Sequence, residues 1–119
     1  MREELNKMDF NEYQKKALVT DHSVGTDTVS AEFFAILLGF AGETGEIAEK
    51  FKKIYWHKAG KWDKEDKKLL AKELGDVLWY LASLASHLGV KLNEVAEENI
   101  LKIESRVKRG VHLGNGDER

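Results

Sequence analysis

The sequence predicts an all-α domain. Three observations carry that reading: apolar residues recur at three- and four-residue steps almost throughout, proline is absent, and the ten glycines fall mostly where helices would break. The length of 119 residues fits one domain, read as 1–119, with a core of about residues 30–110 and a tail over 111–119. No stretch in the middle has the composition of a linker, and no internal repeat is visible.

A first helix starts near Asp9, where Asp9-Phe10-Asn11-Glu12 has capping-box spacing, and Phe10, Tyr13, Ala17 and Leu18 form a short apolar stripe. The polar stretch Thr20 to Thr28 reads as a loop. A long second helix runs from about Ser30 to about Trp56, with Phe33, Phe34, Leu37, Phe40, Ala41, Ile47, Ala48, Phe51 and Ile54 as its stripe. Gly39, Gly42 and Gly45 each cost roughly 1 kcal/mol against alanine inside a helix, so close approach of another backbone or a ligand is expected there. A loop centred on Gly60 follows. Asp63, with Asp66 at the N3 position, caps a third helix that reaches about Leu88 and stops at Gly89. Its buried direction is set by Leu70, Leu74, Val77, Leu81, Leu84 and Leu88. Trp79 points away from it, as a residue at a subunit contact would. A fourth helix spans about Asn93 to Lys108 with Ala96, Ile100, Ile103 and Val107 as its apolar face, and ends at Gly110. The architecture is a four-helix bundle-like arrangement with two long antiparallel central helices.

Composition removes several classes of function. With 19 Lys plus Arg against 21 Asp plus Glu, the formal net charge is −2, too balanced for a broad grip on nucleic acid or an anionic membrane. There is no cysteine, so disulfides, zinc-thiolate sites and thiol catalysis are excluded. The first ten residues lack the apolar stretch of a signal peptide, and the apolar run from Phe33 to Gly42 is about half a membrane span. A soluble, cytoplasmic protein is the expectation.

The informative residues are acids beside apolar stripes. Glu73 projects about 60–80° from the buried direction of the third helix, and Asp76 lies at the edge of the same arc one turn on. Glu43 borders the stripe of Ile36, Phe40, Ile47 and Phe51, with Glu46 one turn away. Two pairs, Glu43-x-x-Glu46 and Glu73-x-x-Asp76, thus stand on two long helices 26 residues apart, enough for one helix to turn and return antiparallel. Converging carboxylates repel and raise one another's pKa, a conflict that a hard divalent cation resolves. All-oxygen ligands favour Mg²⁺ or Mn²⁺. A di-iron bundle needs Glu-x-x-His pairs, and none of His22, His57, His87 or His112 lies three residues after a glutamate. Against this stands the plainer account, a solvated face held by lysine pairs, which suits Glu49, Lys50, Lys52 and Lys53.

Asn99, Lys102 and Arg106 share one edge of the fourth helix and can meet the phosphates of a metal-bound ligand, or simply form a basic helix end. Trp56, His57 and Trp62 around the second loop can stack on a base, staple the turn or fill an oligomer contact. No phosphate-binding glycine motif and no serine nucleophile arrangement is present. The wide apolar arc of the third helix predicts a homo-oligomer, dimer or tetramer, with sites near the subunit contact.

The segments Leu38 to Glu46 and Lys72 to Tyr80, with Asn99 and Lys102, resemble the MazG-like all-α nucleoside triphosphate pyrophosphohydrolases. The hallmark there is Glu-x-x-Glu, an interval, then Glu-x-x-Asp. The resemblance implies Mg²⁺-dependent hydrolysis of a (deoxy)nucleoside triphosphate to the monophosphate and pyrophosphate, in nucleotide-pool house-cleaning, with Mn²⁺ as a substitute ion. It implies metal ligation by Glu43, Glu46, Glu73 and Asp76, and phosphate contacts from Asn99 and Lys102. Base stacking by Trp56 or Trp62 would follow related branches. Some relatives carry an additional glutamate beside the first motif as general base, where this sequence has Thr44. Glu46 or Glu49 is then the proton acceptor, and Lys102, with Arg106, stabilises the leaving group. Two rival functions use the same residues: a helical domain that binds or senses nucleotides with a metal but does not hydrolyse them, and an interaction module whose acids are structural.

Overall fold

The computed structural model describes residues 2–5, 7–22 and 29–110, and every regular element among them is helical. The elements are α1 (Arg2–Leu5), α2 (Phe10–Leu18), α3 (Ala31–Lys58), α4 (Lys64–His87) and α5 (Leu92–Lys108). The one-turn α1 has no sequence signal. The tail over 111–119 and most of the Thr20–Thr28 loop lie outside the described residues.

Caps set the helix starts. Asp9 accepts from the Glu12 amide at 2.8 Å while the Glu12 carboxylate takes the Asp9 amide, closing the expected capping box. Ser30 caps α3 through the Phe33 amide, and Asp63 and Asp66 form a second box at the start of α4. Stops follow the expected chemistry: Gly89 and Gly110 both have φ of +71°, which glycine adopts without strain. The turn after α3 differs, because Ala59 takes the left-handed conformation (φ 51°) and the Gly60 amide reaches back to the Ile54 carbonyl.

α3 and α4 form an antiparallel hairpin, as successive cross-helix pairs show. Phe33 meets His87 edge-on with ring centroids 5.4 Å apart, Gly39 faces Tyr80, Lys50 pairs with Glu73, and Lys58 pairs with Asp66 at 2.7 Å. α2 packs on α4 and α5, and α5 also touches α4, whereas α3 has α4 as its helical neighbour.

The buried faces differ from those expected. On α4 the buried residues are Leu70, Ala82, Ser83 and Ala85, and Leu74 and Leu88 stand 59% and 71% exposed. Small residues at 82, 83 and 85 let α2 approach closely, so the core of Ala17, Ala82, Ala85 and Leu92 is lined by Tyr13, Leu78 and Trp79. Trp79 therefore turns inward, and its indole donates to the Thr20 hydroxyl at 3.0 Å. On α3 only Ile36 and Ile54 are buried, and on α5 the buried positions are Leu92 and Arg106 rather than Ile100, Ile103 and Val107. Of the three α3 glycines, only Gly39 meets a neighbour: an added Cβ would lie 2.3 Å from the Tyr80 ring. Gly42 and Gly45 face open space within the chain. No helix among the described residues is long and apolar enough to cross a membrane.

One side chain fixes the α4–α5 corner. Gln14, buried in α2, donates to the Ser86 hydroxyl and the Val90 carbonyl, both at 3.0 Å, and accepts from the Leu92 amide at 2.9 Å. Asn11 beside it accepts from the Asn93 amide at 3.1 Å. Since Lys91 offers no side-chain cap, these two α2 residues satisfy amides that begin α5.

Candidate metal centre and flanking clefts

The α3–α4 hairpin brings the acids together. Oxygens of Glu43, Glu73 and Asp76 all lie within 4.8 Å of one another, a spacing that suits a shared cation. Glu43 and Glu73 are half-buried and Asp76 is exposed. One oxygen of each glutamate, Oε2 in both cases, is buried with no hydrogen-bond partner. Unpaired buried carboxylate oxygens are expensive, and a hard divalent ion is the partner that an all-carboxylate donor set fits best.

Glu46 lies outside that triad. It is exposed one turn from Glu43 and acts on the cluster from its edge. Desolvation, followed by the charges of Glu46, Asp76 and Glu73, pushes the Glu43 carboxyl above the ordinary glutamate range. Tyr13 of α2 stands against the same cluster: burial and the Asp76 charge raise its phenol pKa.

Lys50 is the group that sequence reasoning misplaced. Its ammonium makes an ion pair and hydrogen bond with Glu73 Oε1 across the hairpin. That bond, with the charges of Glu73, Glu46 and Asp76, holds its pKa above the ordinary lysine value. The signal was present in the spacing, since positions 43, 46 and 50 fall on one helical face. Lys52 does follow the plainer account, pairing with Glu49 at 2.9 Å on the surface. The hydrogen bond from Lys52 holds the Glu49 carboxyl below its ordinary range.

One cleft adjoins the acids through Lys50, and others lie along α5. Towards the end of the hairpin, a cleft of about 340 Å³ is lined by Lys50, Lys53, Ile54, His57, Lys58, Asp66, Leu69 and Leu70. It has an apolar floor and a basic rim. On α5, a second cleft of about 500 Å³ is bordered by Glu98, Asn99 and Lys102, and Asn99 also borders a smaller apolar cleft with Leu78 and Leu81 of α4. Arg106 is 7% exposed, inside the molecule rather than on that rim. Trp56 is 71% exposed and packs edge-on against Tyr55, while Trp62 lies against Phe51 with the Lys67 ammonium 5.4 Å from its ring centre. Neither tryptophan lines these clefts. Thr44 hydrogen-bonds the Phe40 carbonyl of its own helix at 2.8 Å.

Fold and site together define an all-α protein with acids converging from two antiparallel helices. The MazG nucleotide pyrophosphohydrolase domain model matches residues 32–111, and the chain belongs to that family. The chain is also similar to the gene 37 protein of Mycobacterium phage L5, with 48% identity over 84 residues that span 71% of this chain and 74% of the relative. No solved structure matches.

Proposed function

We propose that this protein hydrolyses (deoxy)nucleoside triphosphates to the monophosphate and pyrophosphate with Mg²⁺, Mn²⁺ substituting, in the clearing of nucleotide pools. The observation that carries the reading is the convergence of Glu43, Glu73 and Asp76 within 4.8 Å in a chain of this family. These three residues would hold the ion, with Glu46 joining from the edge. When bound, the ion supplies charge neutralisation on the phosphate chain and activates water.

The remaining work falls to side chains. Attack on the α-phosphorus forms one P–O bond to water oxygen and breaks the bond to the bridging oxygen, so that pyrophosphate departs. The water proton goes to Glu46, which is exposed beside the cluster. Glu49 is the weaker acceptor, because its pairing with Lys52 favours the charged form. Asn99 and Lys102 line the α5 cleft and supply an amide and a cation for phosphates. Arg106, inside the molecule, supports α5 more directly than it meets a ligand, and Trp56 and Trp62 remain candidates for closing over a base from the loop. Release of pyrophosphate from a panel of canonical and modified nucleoside triphosphates, with and without Mg²⁺, tests the reading. Turnover with none of them would overturn it.

One observation favours a second reading, a metal-dependent nucleotide binder without turnover. Thr44 stands where some relatives carry a glutamate, and its hydroxyl is engaged with its own helix. Nucleotide binding in calorimetry without pyrophosphate release would select it.

We further infer that residues 1–119 form one domain that assembles as a homodimer or homotetramer. Leu38, Leu74 and Leu88 are among the large apolar side chains left uncovered. Sedimentation as a monomer at micromolar concentration would refute the assembly.

A further inference from the structure

Lys50 stands among the acids, and the plain ion-pair account leaves its placement unexplained. An exposed lysine on a long helix has many partners within reach; this one sits half-buried and bonds to Glu73 on the opposite helix. Its ammonium lies within electrostatic reach of Glu46 and Asp76 as well. Glu73 is largely enclosed, with 13% of its side chain exposed, and its other oxygen is one of the unpartnered pair. The same lysine also lines the basic-rimmed cleft of the hairpin. It therefore stands on the boundary between the acidic and basic halves of the α3–α4 face.

We propose that Lys50 is a resident counter-ion of the metal centre, occupying Glu73 when no divalent cation is bound and yielding that carboxylate when one arrives. The inference rests on the metal reading of the acid cluster and adds a role for a residue outside it. Like charges repel, so an ammonium on Oε1 of Glu73 and a divalent ion on its unpartnered Oε2 oppose one another across a single carboxylate. Binding of the ion therefore favours withdrawal of the lysine, and that withdrawal opposes binding. Lys50 thus weakens metal affinity while holding the metal-free hairpin together against the repulsion of its acids.

The test titrates Mg²⁺ alone into the metal-stripped 119-residue chain by calorimetry, using wild type, Lys50→Met and Lys50→Arg, with circular dichroism to check the fold. Methionine keeps the stem's apolar contacts and removes the charge. Lys50→Met is expected to bind Mg²⁺ about tenfold more tightly than wild type, as loss of one nearby positive charge implies. It should also melt at lower temperature in EDTA and gain more in melting temperature from Mg²⁺. Lys50→Arg should stay close to wild type in affinity. Equal affinity in wild type and Lys50→Met, or Lys50→Arg matching Lys50→Met, would overturn the counter-ion role while leaving the metal centre standing. Absence of Mg²⁺ binding by all three proteins would remove the metal centre and this role with it.

Discussion

The ring of Tyr80 on α4 lies directly over Gly39 on α3, where an added Cβ would come within 2.3–2.7 Å of three of its atoms. This contact sets how closely the two long helices approach just before the acid pairs begin. Gly39→Ala gains helix propensity but forces the ring aside, so a net destabilisation of about 1–3 kcal/mol is expected in urea unfolding. Combining it with Tyr80→Leu should recover part of that loss, since the smaller side chain makes room. Unchanged stability in Gly39→Ala would show that the contact is loose.

Gln14→Leu tests the corner between α4 and α5. The substitution keeps the side chain's bulk but strands the Leu92 amide and the Val90 carbonyl, while the Ser86 hydroxyl keeps its bond to the Ala82 carbonyl. Buried groups left without partners cost about 1–3 kcal/mol each, less whatever water recovers, so a loss of about 2–4 kcal/mol is expected by denaturant titration. Amide hydrogen exchange should rise first at the start of α5.

Glu73→Ala and Asp76→Ala each remove one carboxylate from the triad. Pyrophosphate release should fall more than about 100-fold, beyond the usual effect of losing an outer-shell partner of a metal ligand. Far-UV circular dichroism should be unchanged, because neither side chain builds the small core of Ala17, Ala82, Ala85 and Leu92. Wild-type turnover in both variants would reject the ligand assignment.

The Glu43 carboxyl should leave a pH signature in the metal-free protein. Its folded pKa lies above the ordinary value of 4.5, so the native state binds its proton more tightly than the unfolded chain. Stability from this group is therefore highest below 4.5 and declines as pH rises through the raised native value. Glu43→Gln should melt a few degrees above wild type at pH 8 in EDTA, with the difference vanishing near pH 4. Asp66, whose carboxyl is held below 3.8 chiefly by its bond to Lys58, acts in the opposite sense. Its contribution is present above 3.8 and disappears as pH falls through the depressed value. Melting curves across pH 3–8 that are identical for wild type and Glu43→Gln would contradict the assignment.

Much of this was legible in the residues. Caps at Asp9 and Asp63 and stops at Gly89 and Gly110 rest on local chemistry, so spacing located four helices to within a residue or two, whereas the Ser30 cap emerges only in the structure. Two acid pairs a hairpin apart pointed to converging carboxylates because helical geometry leaves few alternatives. Burial was harder to read. Periodicity places the apolar arcs of α4 and α5 inside, yet Leu74, Leu88, Ile100 and Val107 face outward, and alanines and a serine make the tight contact with α2. Hydrophobicity marks what avoids water, not which neighbour covers it. Trp79 was misread for a related reason: its pairing with Thr20 crosses 59 residues of sequence, and no local pattern encodes it. Lys50 was missed although its spacing was informative, because adjacent lysines offered an easier surface explanation.

The α2 bracket made by Gln14 and Asn11 has one more consequence. The triad is carried by α3 and α4, whereas the cleft of Asn99 and Lys102 rides on α5, which is anchored through α2 and α4 and has no contact with α3. Under the proposed function, heritable changes along the outer edge of α5 would alter ligand contacts while the distances among Glu43, Glu73 and Asp76 stay as they are. Diversification of selectivity and preservation of chemistry would then fall to separate arms of the molecule.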